Sequence, residues 1–537
     1  MGNSPQTTST AEDPGSGPVP AREPSNPASP AQPPSVPPGE TGFRIPIIWV
    51  LALALLASGA WVAVRRFGGP SPRLPLEAYR RSVMLADRGI LLVPESERSM
   101  RRVVMGIGQA AGSYYLLPPL TDPPGVASQR LDVIRKSMYW LDLELAHGDI
   151  WNLLPPDSQL FIAVPMDANG KTSRRERDWF REYLHLRWSW DDQALKGRIH
   201  YFDVPAPVIW GQDIGEVVGR DLQGRTVIAV GRDEPGYYRD AVLNLVKAYP
   251  DDFSGVDPGP GVSTEGGDIE LVWGAGDKPE VLAGRFAAIR YLQRIRGSFP
   301  ATQAASLSDV AQARSAFSRG FFGLPVRFLP ESVLQDPARG NPELFHLDMM
   351  LSTLADSPRP RAFIPTYLPG ARDATGWGPL KPEFVRSLQR EYDRLALEMS
   401  SFGYNVVRLP FADHPVRSPA NLVKCYDPIR KVEVVYLSKY PNHLPDHGKA
   451  TTQDLIRSTI ANLQPAYGAW LAQPNDGNFA NLMGAFQQVW TELGVSATEV
   501  NPIFEAQKKL VEKCGYRVVP VPMYVWGAGG LHCLILH

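Results

Sequence analysis

Four short motifs, far apart in the chain, carry side chains that could do chemistry. One is the C-terminal run Gly527-Ala528-Gly529-Gly530-Leu531-His532-Cys533-Leu534-Ile535-Leu536-His537. Its glycines let backbone and ligand come close and lead to a cysteine on what reads as an apolar strand. A second is His346-Leu347-Asp348; in a strand, residues i and i+2 face one side, so both would enter one site. A third, Trp210-Gly211-Gln212-Asp213, sets a carboxylate in a turn beside a tryptophan. The fourth, Glu265-Gly266-Gly267-Asp268, is an acidic turn entering a strand. Singly, each has a plainer reading. A lone cysteine is more often a buried core thiol, the reading given to Cys425 and Cys514. His-x-Asp pairs are mostly surface polar groups, and Asp268 supports its own turn.

Their order is more specific than any one of them. Asp in W-x-Q-D, then E-G-G-D, then H-x-D, then G-G-x-H-C resembles the guanidino-group-modifying enzymes: arginine deiminase, agmatine deiminase and the protein-arginine deiminases. Ser418-Pro419-Ala420-Asn421-Leu422 is similar to that superfamily's S-x-A-N-F segment, and Cys514-Gly515-Tyr516-Arg517-Val518-Val519-Pro520-Val521 to its strand before the nucleophile. The Trp-Gly-Gln-Asp form is nearer the protein-arginine deiminases, whereas Glu-Gly-Gly-Asp is nearer arginine and agmatine deiminases. The resemblance spans 157–537 and implies a five-fold pseudosymmetric β/α propeller, the pentein fold, with the site at its centre.

The implied chemistry suits these residue types. A guanidinium is planar, presents five N–H donors and stays charged. Holding it away from water calls for carboxylates in fork geometry, the roles implied for Asp213 and Asp348. A held positive charge makes the central carbon electrophilic and favours a thiolate beside it. Cys533 would attack that carbon to give a thiouronium adduct. His346 would protonate the departing ammonia and then activate water. Glu265 would orient or charge His346. The expected reaction takes a free or peptidyl arginine, or agmatine, to a ureido product plus ammonia without metal or organic cofactor. Calcium serves some protein-arginine deiminases, but no EF-hand loop is present and it is disfavoured here. His532, next to Cys533 on the expected strand, would face away and is given a structural role. His443, Asp446 and His447 read as a polar loop rather than a metal site.

The elements that must position these residues are mixed α/β. Short β-type runs (QLFIAVP, GRIHYFDV, RTVIAVG, DIELVWG, VEVVYLS, YRVVPVPM) alternate with amphipathic helices (RRERDWFREYLHLR, PEFVRSLQREYDRLALEM, PIFEAQKKLVEKC). This catalytic domain would occupy 157–537, preceded over 65–156 by a linker and accessory helical region that includes LDVIRKSMYWLDLELAH. Residues 1–44 hold 11 prolines and no aromatic before Phe43, a composition that predicts a disordered tail. Residues 45–64 carry no charge, and at about 1.5 Å per residue a helix of that length spans about 30 Å, which predicts a single-pass transmembrane helix. Arg65, Arg66, Arg73, Arg80 and Arg81 follow the run, and the positive-inside rule then favours a cytoplasmic catalytic domain.

Composition bounds the rest. With 55 Lys+Arg against 56 Asp+Glu, the 537-residue chain lacks the basic excess of a general nucleic-acid binder. Three cysteines without a CxxC pair exclude a disulfide framework and a Cys-rich zinc site. Neither a phosphate-binding GxxxxGK[ST] nor a GxGxxG after a strand occurs. A papain-like protease is disfavoured, because those families place Cys before His and here His346 comes first. Two alternatives stay open: an amidinotransferase with the same Cys-His-Asp site, and a non-catalytic membrane adaptor on a degenerate fold.

Overall fold

Apolar runs covered on both faces form the strands of this protein, and the amphipathic segments between them supply the cover. The computed structural model describes residues 82–107 and, with short breaks, 150–440 and 463–537. The expected β-runs are strands at Gln159–Pro165, Ile199–Val204, Thr226–Ala229, Ile269–Gly274, Val432–Lys439 and Arg517–Pro522. Ile269–Gly274 is buried at every position, as expected of a strand packed on both sides. The three expected helices are Arg174–Trp188, Pro382–Ser401 and Pro502–Lys513.

The strands form five separate sheets. One has five strands, in the spatial order Val83–Leu85, Ile90–Leu92, Glu216–Asp221, Thr226–Ala229 and Phe253–Val256. Four have three strands each. In the sheets built on Ile269–Gly274, Ser352–Leu354 and Val423–Asp427, an antiparallel hairpin is joined by a third strand that returns parallel after a helical stretch. Such a return requires a crossover, and helices provide it. The sheet of Arg102–Gly106, Gln159–Pro165 and Ile199–Val204 is parallel throughout.

Local signals fix the helices. Ser306 and Asp309 close a reciprocal capping box at the start of Leu307–Gly320. Asn501 caps Pro502–Lys513, with Pro502 at the first helical position, where its missing N–H costs nothing. In Pro382–Ser401, Leu388, Tyr392, Leu395 and Met399 make one buried stripe at helical spacing. That stripe packs with Leu344, Leu347 and Ile364 in one core cluster. Leu344 and Leu347 flank His346, so the core itself anchors the His-x-Asp motif.

Two expectations are corrected. The five-fold pseudosymmetric propeller is not shown: the sheets differ in strand number and direction, and none is closed. Site motifs constrain the turns that carry them, not the symmetry of everything between them. The single-pass membrane protein with a cytoplasmic catalytic domain is likewise not carried forward. Among the described residues no helix is long and apolar enough to cross a membrane, and the run 45–64 lies outside them, as do the tail 1–44 and the helical stretch 131–147. All described residues belong to one compact unit, Val64–His537. Within it, residues 83–106 form strands and carry a buried 3-10 turn at Glu95–Glu97.

Candidate active site

Each of the four motifs sits at the end of a short element. Asp213 lies in the buried 3-10 turn Gly211–Ile214, which leads into the strand Glu216–Asp221. Glu265, Gly266 and Gly267 form the turn before Ile269–Gly274, closed by the Asp268 amide donating to the Glu265 carbonyl at 2.9 Å. The Gly266 amide donates to the Gln212 carbonyl at 3.2 Å, joining these two turns. The Asp348 amide donates to the Gly267 carbonyl at 3.1 Å, which brings in the third. The glycines are needed for this approach. A Cβ on Gly266 would run into the Gln212 side chain, and one on Gly267 would lie 2.7 Å from His346 Nδ1.

His346 and Asp348 do reach the same region, but not as alternate residues of a strand. His346 is extended and Asp348 stands in the 3-10 turn Leu347–Met349. Cys533 is not on a strand either; it lies in the helical turn Leu531–Leu534. Asn421 organises that turn: its Oδ1 accepts from the His532 amide at 2.8 Å and the Cys533 amide at 3.3 Å, and its Nδ2 stands 2.9 Å from Cys533 Sγ. The helical geometry also overturns the expectation that His532 faces away. Both His532 Nδ1, at 3.2 Å, and Cys533 Sγ, at 3.1 Å, contact Asp348 Oδ2.

All five expected site residues therefore converge. His346 Nε2 meets Glu265 Oε1 at 2.8 Å, and donor atoms of Asp213, Glu265 and His346 lie within 4.8 Å of one another. Tyr238 donates its hydroxyl to Asp213 Oδ2 at 3.3 Å. Oδ1 of Asp213 and Oδ1 of Asp348 have no hydrogen-bond partner among the described residues, although both side chains are buried. Arg290 holds Glu265 from the other side and reaches Asp268 Oδ2 at 2.7 Å.

The charges are strongly coupled. Burial pushes the Asp213 carboxyl up to about 7; the His346 charge opposes this, while Glu265 and Asp348 add to it. Burial alone would pull the His346 imidazolium down. The Glu265 hydrogen bond and the fields of Asp213, Glu265 and Asp348 outweigh it and raise the pKa to about 9. Glu265 shows the converse: burial would raise it, but His346 and Arg290 bring it to about 2. Burial drives the Cys533 thiol well above its ordinary value, and the Asp348 and Asp213 charges drive it further. Without a cation beside it this cysteine is a thiol.

Among the described residues, two sets of donor atoms are close enough for a metal ion, and both have other work. In Asp213–Glu265–His346, the glutamate and histidine are bonded to each other. In Glu95–Glu270–His532, the Lys424 ammonium meets Glu95 Oε2 at 3.1 Å and Glu270 Oε2 at 3.0 Å and supplies the positive charge. His443, Asp446, His447, Trp210 and the glycines 527–530 lie outside the described residues. A cavity of about 330 Å3, lined by Arg101, Asp157, Arg430, Tyr436 and Arg517 among others, shares no residue with this cluster.

Sequence reasoning missed Glu95, Arg290 and Lys424. Glu95 stands in Pro94-Glu95-Ser96-Glu97-Arg98, within the stretch 65–156 expected to be a linker and accessory helical region, yet all of Glu95–Glu97 is buried. Arg290 and Lys424 belong to no motif. Asn421 was within reach, in the segment similar to S-x-A-N-F.

No family model matches the chain, and no curated protein matches it. Among solved structures, one assigned as an arginine deiminase from Porphyromonas gingivalis aligns over 83% of this chain and 97% of its own, at 12% identity and a TM-score of 0.38. A superposition that loose decides neither fold nor activity.

Proposed function

We propose that this protein is a hydrolase of guanidino groups, a deiminase converting an arginine-like guanidinium to a ureido product and ammonia. One observation carries the reading. A buried thiol, Cys533, lies 3.1 Å from Asp348, and both Asp348 and the buried Asp213 keep a carboxylate oxygen without a partner among the described residues. Buried carboxylates with open oxygens are costly unless protonated or matched by a cation. A planar guanidinium offers the paired N–H donors that would satisfy both.

The electrostatics support a sequence of steps. A cation between Asp213 and Asp348 offsets the charges that hold the thiol protonated, so binding itself favours the Cys533 thiolate, the thiol proton passing to solvent. The sulfur attacks the guanidinium carbon and a neutral tetrahedral adduct forms. His346, an imidazolium below about 9, gives its proton to one amino group. The C–N bond breaks, ammonia leaves, and a cationic thiouronium remains on Cys533. The imidazole, now neutral, takes a proton from water as the water oxygen bonds to carbon. The C–S bond then breaks with its electron pair returning to sulfur as thiolate. The adduct hydroxyl loses its proton to solvent to leave the neutral ureido product, which balances the proton that the free ammonia takes up as ammonium. Glu265, bonded to His346 and held by Arg290, fixes the imidazole through both proton transfers.

The test is ammonia and ureido product released by the full chain from free arginine, agmatine, dimethylarginine and an arginine peptide. Cys533→Ala is the control and is expected to abolish release. Amidino transfer to an added amine in place of hydrolysis would make the protein an amidinotransferase. No turnover on the panel with or without an amine would refute the enzymatic reading.

A further inference from the structure

The chemistry proposed for Asp348 uses one carboxylate oxygen, and the buried side chains behind it hold the other. His532 is buried, as are Glu95, Glu270, Lys424 and Asp348. His532 Nδ1 is 3.2 Å from Asp348 Oδ2, and its Nε2 forms an ion pair with Glu95 Oε1 at 3.0 Å. Glu95 Oε2 is 3.1 Å from Lys424 Nζ, which also meets Glu270 Oε2 at 3.0 Å and the Ser352 hydroxyl at 3.3 Å. The row runs Lys424, Glu95, His532, Asp348, Cys533, alternating in charge up to the thiol. Four segments far apart in sequence supply it: the 3-10 turns Glu95–Glu97 and Leu347–Met349, the strand Val423–Asp427 and the helical turn Leu531–Leu534.

Resting on the guanidinium reading of this site, we propose that His532 and Glu95 are positioning residues, a buried charge relay fixing Asp348 so that its Oδ1 faces the substrate cation. An isolated carboxylate at this depth would gain by protonation or by turning toward the nearest donor. The imidazolium ties Oδ2 and balances the charge, which leaves Oδ1 to the ligand. Glu95 pairs with the imidazolium from its far side at 3.0 Å, so each ring nitrogen faces a carboxylate and the ring orientation is held. Burial would pull the His532 imidazolium down, but the Glu95 and Asp348 carboxylates raise it well above its ordinary value. Burial opposes ionisation of Glu95, and Lys424 and His532 overcome it.

The test separates this role from packing and from turnover. Wild type, His532→Asn and Glu95→Gln are alkylated with iodoacetamide at rising, non-denaturing concentrations of guanidinium chloride, and the mass shift is read on the peptide carrying Cys533. Asparagine keeps an N–H donor toward Asp348 but removes the charge; glutamine keeps the shape of Glu95 and removes its charge. Bound guanidinium changes the alkylation rate, by ionising the thiol or by covering it. Both variants are expected to need at least about tenfold more guanidinium for half of that change, a factor of about 10 in an equilibrium constant being the scale of one lost charge-assisted contact. Melting temperatures close to wild type would show the fold intact. Half-effect concentrations within twofold of wild type in both variants overturn the proposal. An alkylation rate in wild type that guanidinium does not change removes the cation site and overturns the guanidinium reading with it. The expected weakening without turnover on any guanidino substrate would sink the hydrolase reading and leave the positioning role standing. Should His532→Asn fail to fold, Glu95→Gln, which leaves His532 in place, decides alone.

Discussion

At the scale of residues, the site depends on contacts that a single methyl group would spoil. A Cβ on Gly267 would lie 2.7 Å from His346 Nδ1, closer than the imidazole can tolerate without swinging off Glu265. Gly267→Ala is therefore expected to lower turnover by about 10²-fold, the cost of misplacing a catalytic group by about 1 Å. Binding of a guanidinium should change far less, because Asp213 and Asp348 are not displaced. Comparing kcat with the guanidinium concentration that half-changes Cys533 alkylation checks this, and a proportional loss of both would contradict it.

At the scale of elements, the turns that carry chemistry are held by cores that carry none. Leu395 is fully buried on the helix Pro382–Ser401 and shares a cluster with Leu344 and Leu347, which bracket His346. Leu395→Ala should cost about 2–5 kcal/mol in urea unfolding, the usual range for emptying a leucine site, while the protein still folded keeps its activity. This scale also separates what the sequence made legible from what it did not. Strands such as DIELVWG and helices such as PEFVRSLQREYDRLALEM could be read, because burial on one stripe or both faces imposes a period. The five site residues could be read from the order of their motifs. The Cys533 segment could not: LHCLIL is apolar enough for a strand, but amides anchored on Asn421 from elsewhere in the chain hold it in a helical turn. That change of geometry turns His532 toward Asp348. Glu95 was hidden for a similar reason, since nothing local in a Pro-Glu-Ser-Glu-Arg run shows that Lys424 and His532 will meet it.

At the scale of the whole molecule, buried charges set the pH window. Asp213 has its folded pKa raised to about 7, so its charge, and with it the grip on a cation, is lost as pH falls through about 7. His346 has its folded pKa raised to about 9, so the proton needed by departing ammonia is present below that and lost as pH rises through it. A bound cation lowers the His346 value, so the alkaline limb should fall at or below about 9. Turnover should thus be bell-shaped, with weakened substrate binding on the acid side and reduced kcat on the alkaline side. A rate climbing steadily through pH 10 would contradict the assignment of His346 as the acid.

The same two raised values both make stability fall as pH rises, because each group binds its proton more tightly in the folded state. His346 gains a partner on folding, and its contribution is fully present below its unfolded pKa and lost as pH rises through about 9. Asp213 is disfavoured as an anion on folding, so it costs stability increasingly as pH rises toward about 7. A site that is strained when empty and relieved by its ligand is expected where a cation must be recognised away from water.

The central claim is that Cys533 forms a covalent bond to a guanidinium carbon, and acid quenching during turnover tests it most directly. The peptide carrying Cys533 should gain the mass of the substrate less one ammonia. The adduct should be absent in Cys533→Ala. Turnover that leaves the Cys533 peptide unmodified under every quench, or that survives Cys533→Ala, would contradict the account.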